Sequence, residues 1–145
     1  MSSARKVIKM ALINVRDLGG GGGTNMKKIV EDGTLNPNYF LSGNLVQKVG
    51  YIELTRVGAS DDSGFINTID FSKINTLAVN AEISGTSDGL AIKINGTNYY
   101  QSGQATGTRT LRLNVDVSAV TGVHQLQVQC YGNVGTIKLF EVIGG

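Results

Sequence analysis

Four stretches of this chain alternate between inward and outward positions with a period of two. Leu77, Val79, Ala81 and Ile83 are separated by Ala78, Asn80 and Glu82, and Leu90, Ile92 and Ile94 by Ala91 and Lys93. Leu111, Leu113, Val115 and Val117 are separated by Arg112, Asn114 and Asp116. Leu126, Val128 and Cys130 are interleaved with Gln125, Gln127 and Gln129. Successive side chains leave a strand on opposite sides, so this pattern marks strands with one face on a core. Asn95-Gly96 lies between two apolar-patterned runs, and both residues tolerate positive φ, which reads as a two-residue hairpin. The last run, "TIKLFEVI", changes parity between Leu139 and Phe140, as a bulge or contact on both faces would require.

Composition points the same way. Gly occurs 20 times, Pro once, Trp not at all, and charged residues make up 17% of the chain. Glycine, threonine, serine and asparagine among many β-branched residues suit short strands and tight turns and argue against a helical bundle. A chain of 145 residues forms one domain that hides about two-thirds of its unfolded surface. We count roughly eight strands spaced about 8–12 residues apart, without a helix, which gives an all-β, antiparallel sandwich of jelly-roll type. Val79, Leu113 and Val128 should share its core.

Ahead of the strands, the chain divides into an N-terminal arm with a glycine tether (1–23) and an irregular connector (24–46); the sandwich domain follows (47–145). Val7, Ile8, Met10, Leu12, Ile13 and Val15 make the arm too apolar for a solvated tail. "GGGGG" at 19–23 frees it from the domain. The arm therefore reads as a device that docks on another subunit, with Arg5, Lys6 and Lys9 favouring an acidic rim there. The connector has a short strand at Lys28–Glu31 and turn residues around "LNPN".

One template is written twice: apolar, Asp, apolar, Ser, then apolar residues at the sixth and ninth positions. It appears as "IDFSKINTL" at 69–77 and "VDVSAVTGV" at 115–123. Asp70 and Asp116 can accept a hydrogen bond from the backbone two residues on, and Ser72 and Ser118 can cap the turn. Phe71 and Ile74, or Val117 and Val120, would plug the sandwich end beneath it. The template is architecture rather than chemistry.

No catalytic constellation emerges. His124 and Cys130, the only residues of their kinds, are six apart and would stand about 20 Å apart on one strand. Cys130 reads as a core residue. "SDDSG" at 60–64 and "SDG" at 87–89 guarantee too few oxygens for calcium. Glu53, Glu82 and Glu141 are scattered and form no glycosidase pair. We therefore expect neither an enzyme nor a metal or cofactor. Net charge is +2 without a basic, aromatic-interleaved stripe, so nucleic acid is a poor candidate partner. No apolar run approaches about 18 residues. Lys9, Asn14 and Arg16 interrupt the N-terminal apolar stretch, against a signal peptide, and a single cysteine fits synthesis in a reducing cytosol. What remains is a polar strand face of Gln125, Gln127 and Gln129, with Tyr99 and Tyr100 after the hairpin, a candidate surface for sugar.

"INTIDFSKINTLAV" and "TRTLRLNVDVSAVTGVHQLQVQCYGNVGTIKLFEVIG" resemble sandwich modules of structural proteins from phages and prophages of Gram-positive bacteria. Those modules carry an "IDxSxxxxL" entry, matched by Asp70 and Ser72, and a "DVSxLTGxxxI" segment, matched by Asp116, Ser118, Thr121 and Gly122. A closing "G-S/T-I" strand is matched by Gly135, Thr136 and Ile137. The resemblance covers about 47–143, and Val120 replaces the usual leucine. It implies a virion protein, made in the host cytoplasm, in one of two roles. The first is a decoration, head-fibre or tail-associated subunit that docks on other virion proteins through the arm, as a homo-oligomer with a trimer favoured. The second is a carbohydrate- or cell-wall-binding module that aids host attachment through a cell-surface glycan.

Overall fold

The computed structural model describes residues 26–56, 62–133 and 135–145. The proposed docking residues Val7, Ile8, Met10, Leu12, Ile13 and Val15, and the glycine run, lie outside the described residues. Strands form at β1 (Lys27–Glu31), β2 (Thr34–Leu35), β3 (Phe40–Gly43), β4 (Val46–Gln47), β5 (Ile52–Arg56) and β6 (Asp62–Asp70). They continue at β7 (Thr76–Gly85), β8 (Asp88–Ile94), β9 (Thr97–Gln101), β10 (Arg109–Asp116), β11 (Val123–Gly132) and β12 (Gly135–Gly144). Their described pairings are antiparallel, and they build two sheets. A five-stranded sheet runs β9-β8-β11-β6-β3. A seven-stranded sheet runs β10-β7-β12-β1-β2, with β4 and β5 joined to it through β12.

β12 organises the larger sheet. One edge pairs with β7 from Gly135 to Gly144. The other pairs with β5 over Gly135–Leu139 and with β1 from Val142 onward. The parity change read in the sequence is a bulge between Leu139 and Glu141. It keeps Ile137, Leu139 and Val142 all buried, and the Gly33 N–H donates to the Phe140 carbonyl (2.8 Å). The core also contains Val79 and Val128, but Leu113 is only half-buried. β10 is the last strand of its sheet, so Leu113 sits at the rim where the opposing sheet covers it incompletely.

Of the segment expected as an irregular connector over 24–46, residues 26–46 belong to the sandwich, and the short strand expected at Lys28–Glu31 is β1. β1 and β3 are members of opposite sheets, and Ile29 and Val30 are fully buried. Glu31 pairs with Thr34 around Asp32-Gly33, whose φ values of 51° and 73° are those of a type I′ hairpin. Asn95-Gly96 forms the second such turn (φ 51° and 78°).

Both copies of the repeated template fall where the chain crosses between sheets, at one end of the sandwich. The first links β6 to β7 and the second β10 to β11. The Ser72 N–H donates to Asp70 Oδ1 (3.0 Å), and both the N–H and hydroxyl of Ser118 donate to Asp116 Oδ1 (2.9 and 2.7 Å). The two arches also bond to each other. Phe71 N–H donates to the Gly122 carbonyl (2.9 Å), Val117 N–H to the Asn75 carbonyl (2.9 Å), and Gly122 N–H to Ser72 Oγ (3.3 Å). Phe71, Ile74, Val117 and Val120 are buried beneath them.

The opposite end is closed by a buried charge. Asp88 is fully buried and exchanges backbone hydrogen bonds with Ala105 (3.1 Å each). Arg109 Nη2 donates to the Asp88 carbonyl (3.0 Å), and Arg109 Nη1 stands 3.7 Å from Asp88 Oδ1. Burial raises the pKa of Asp88, and the guanidinium opposes that shift.

Two predictions follow from these turns and charges. A side chain at Gly33 would overlap the Gly50 carbonyl, whereas one at Gly96 meets nothing. Both substitutions incur the left-handed backbone cost, so Gly96→Ala should lose about 1 kcal/mol in chemical denaturation and Gly33→Ala roughly 2–4 kcal/mol. Equal losses would contradict the packing described here. The second prediction concerns acid. The Ser118 hydroxyl and N–H hold the pKa of Asp116 below its usual value, and the Ser72 N–H does so for Asp70. Their stabilisation is present above the unfolded carboxylate pKa and is lost as pH falls through the folded one. Asp88 has the opposite sign: its raised pKa favours the native state at low pH and costs stability as pH rises through that value. Asp116→Asn should therefore show a smaller fall in denaturation midpoint than the parent between about pH 5 and about pH 2. An unchanged acid limb would refute this role.

Candidate ligand-binding face

Alternation leaves each sheet with an outer face, and the two faces treat charge differently. On the seven-stranded sheet, Lys138 Nζ approaches Glu82 Oε1 (3.9 Å) and lies 4.8 Å from the centre of the Tyr51 ring. Lys48 pairs with Glu53 (3.9 Å), and Asn80 Nδ2 donates to Glu141 Oε1 (3.4 Å). Most of the charge on this face meets opposite charge within it, as expected of a solvated surface.

The outer face of the five-stranded sheet is nearly neutral. Leu126, Val128 and Cys130 point into the core, so Gln125, Gln127, Gln129 and Tyr131 form the outer row of β11. The ladders place Gln127 between Lys93 of β8 and Phe65 of β6, and Gln129 between Ala91 and Ser63. Tyr131 stands opposite Gly89, and its ring occupies the space a Gly89 side chain would need. On β3, Phe40 and Ser42 continue the row beside Asn67 and Phe65, and Phe40 is 56% exposed. At the other edge, Asn98 Nδ2 donates to Gln101 Oε1 (2.8 Å).

The amides of this face are held before any ligand arrives. Gln127 Nε2 donates to Ser63 Oγ (3.0 Å), and Gln125 Nε2 donates to Asn67 Oδ1 (2.7 Å). Asn67, itself buried, donates to the Phe40 carbonyl (3.0 Å) and Ser42 Oγ (2.9 Å). The Oε1 atoms of Gln125 and Gln127 have no hydrogen-bond donor among the described residues, so both remain available to a hydroxyl. Gln129 is nearly covered, at 9% exposure, and contributes mainly to packing.

Tyr99 and Tyr100, expected beside the glutamines, pack against the core instead. β9 bulges after Asn98, and Tyr100 falls opposite Ile92 on the inward row. The aromatic surface comes from Phe40, Phe65 and Tyr131. Tyr131 continues the odd-numbered row of glutamines, a signal present in the sequence. Phe65 lies 62 positions from Gln127 in the chain and is brought beside it only by the β6–β11 register. Asp70, Ser72, Asp116, Ser118 and Gly122 sit in the end arches rather than in this row. His124 Nε2 bonds the Thr121 carbonyl (2.7 Å), and its ring lies 6.4 Å from that of Phe71. Cys130 is buried on the same strand. Among the described residues, no three or more His, Cys, Asp or Glu side chains gather as a metal site would require.

The sequence matches no family model and no curated protein. Its fold is similar to solved structures of family 29 carbohydrate-binding modules. One, in complex with cellulohexaose, has a TM-score of 0.64 at 14% identity, covering 82% of this chain and 89% of that one. Another, in complex with mannohexaose, has a TM-score of 0.63 at 11% identity, covering 82% and 89%. A third, from Piromyces equi, has a TM-score of 0.56 at 13% identity, covering 82% and 88%. The chain has the two-sheet, jelly-roll-like sandwich of such binding modules.

Proposed function

We propose that this protein is a carbohydrate-binding module whose ligand lies across the outer face of the five-stranded sheet. The observation that carries this reading is the contrast between the two faces. One pairs Lys138 with Glu82 and Lys48 with Glu53 within the sheet, while the other offers pre-bonded amides and aromatic side chains. Sugars present hydroxyls to amides and C–H faces to rings, so a neutral glycan suits this surface. The fold's likeness to modules solved with cellulohexaose and mannohexaose supports binding over a purely structural role. The phage setting rests on the sequence resemblance alone. Within it, the module would sit on a virion and engage a glycan of the host surface, and the arm would be its link to other virion proteins.

The test is titration calorimetry of the full chain against soluble neutral polysaccharides and cell-wall glycans. Gln127→Ala and Phe65→Ala should each weaken binding about tenfold, through a lost hydrogen bond or platform. Glu82→Gln, on the opposite face, should leave affinity unchanged. Failure to bind any glycan would overturn the function. Binding that both variants retain would overturn the face.

A further inference from the structure

β10 is an edge strand of unusual regularity. Its eight residues, Arg109–Asp116, pair with β7 in continuous register, without a bulge. No proline interrupts it. Edges are usually blunted by shortness, bulges or proline, because an unpaired strand invites another. The edges of the five-stranded sheet follow that rule, since β9 is bulged and β3 has four residues. Among the described residues, β10 has β7 as its sole strand neighbour.

The main-chain polarity of this edge can be read from its flanks. Val117 N–H donates to the Asn75 carbonyl and Gly107 N–H to the Gly85 carbonyl, each 2.9 Å and each in the β7–β10 register. Hydrogen-bonded pairs recur at every second residue of an antiparallel ladder. Odd-numbered residues of β10 therefore face β7. The N–H and C=O groups of Thr110, Arg112, Asn114 and Asp116 face away from it.

The side chains along this edge form a self-complementary word, Arg112-Leu113-Asn114-Val115-Asp116. Arg112 and Asp116 are exposed, and neither enters an ion pair among the described residues. They lie four residues apart, about 13 Å along the strand, too far to pair within one chain. In an antiparallel second copy centred on Asn114, each Arg112 faces the other chain's Asp116. Leu113 faces Val115, and Asn114 faces itself. This register matches the free main-chain groups, even residue to even residue. Shifting the centre to Arg112 would set like charges opposite one another. The half-buried Leu111 and Leu113 would gain cover at the rim.

We propose that two copies of this protein associate edge to edge through β10, about a two-fold axis at Asn114, joining their seven-stranded sheets into one. Such an interface is isologous and closed. The axis stands perpendicular to the joined sheet, so both five-stranded sheets lie on the same side of it. If the proposed glycan face is correct, the dimer presents two such faces together, and the second engages at high effective concentration.

Native mass measurement and sedimentation of the full chain over a concentration series test the proposal. The parent should show a monomer–dimer equilibrium. Arg112→Asp replaces two opposite-charge pairs by two like-charge pairs and should weaken dimerisation about tenfold. Asn114→Pro removes an outward N–H, tolerable on an edge, and should abolish the dimer while leaving the fold intact. Asn114→Cys should form a disulfide-linked dimer on mild oxidation, because facing Cα atoms in such a pair stand about 5.5 Å apart. Arg112→Cys, remote from its own copy, should not. A parent that stays monomeric, or an oligomer that survives both Arg112→Asp and Asn114→Pro, would overturn the proposal. Neither result depends on whether the protein binds glycan.

Discussion

A sandwich must pass its chain from one sheet to the other, and each passage takes backbone groups out of a ladder. Buried peptide groups without partners are costly, so the crossings constrain the fold more than the strands do. In this protein two crossings meet the demand together. The arches at 70–76 and 116–123 each close on an aspartate, then exchange backbone bonds through Phe71, Gly122, Val117 and Asn75. The Gly145 carbonyl accepts from the N–H groups of Asn75 and Thr76 (2.8 and 3.0 Å), so Gly145 joins the same network. The apolar residues of the template lie beneath that polar roof. At the far end Asp88, the first residue of β8, is buried beside Arg109. Asp88 therefore responds to protons with the opposite sign to Asp70 and Asp116.

Much of this architecture was legible in the residues, because a period of two survives wherever one face of a strand is buried and the other wet. The β7 and β11 runs meet that condition, and their inward rows are buried, whereas in β8 the outward Ala91 is covered too and only Lys93 marks the wet side. The parity change at Leu139 announced its bulge. β1 was legible as a short strand at Lys28–Glu31, but its place in the sandwich was not, for a physical reason: its adjacent residues Ile29 and Val30 are both buried, opposite a β12 that shifts register at Val142. A strand enclosed on both faces has no alternation to read. The Asp32-Gly33 turn carried the same information as Asn95-Gly96, but its flanks did not repeat a period.

The face was less legible than the fold. The glutamine row of β11 was visible because it is local. Its neighbours come from β3, β6 and β8, and only the ladder registers decide which residue stands beside which. The tyrosines at 99 and 100 show the converse. They follow a well-read turn, yet one bulge after Asn98 sends Tyr100 to the inward row. A one-residue slip reverses the facing of everything beyond it, so a surface inferred from spacing is least secure beyond such an irregularity.

The arrangement of amides bears on how the proposed glycan face would work without tryptophan. A flexible glutamine that is fixed only on binding costs about 0.5–1.5 kcal/mol in lost side-chain freedom. In this fold Ser63 and Asn67 hold Gln127 and Gln125 in advance, and Asn67 is held by β3. The ordering is met during folding rather than at the moment of contact. The buried Asn67 thus does more than satisfy its own amide. It couples the edge strand β3, which carries the exposed Phe40, to the glutamine row of β11. Aromatic surface and hydrogen-bonding groups are held in one frame by bonds made within the sheet, and a rigid neutral surface of this kind can favour a ligand through shape and hydroxyl placement where it lacks charge to attract one.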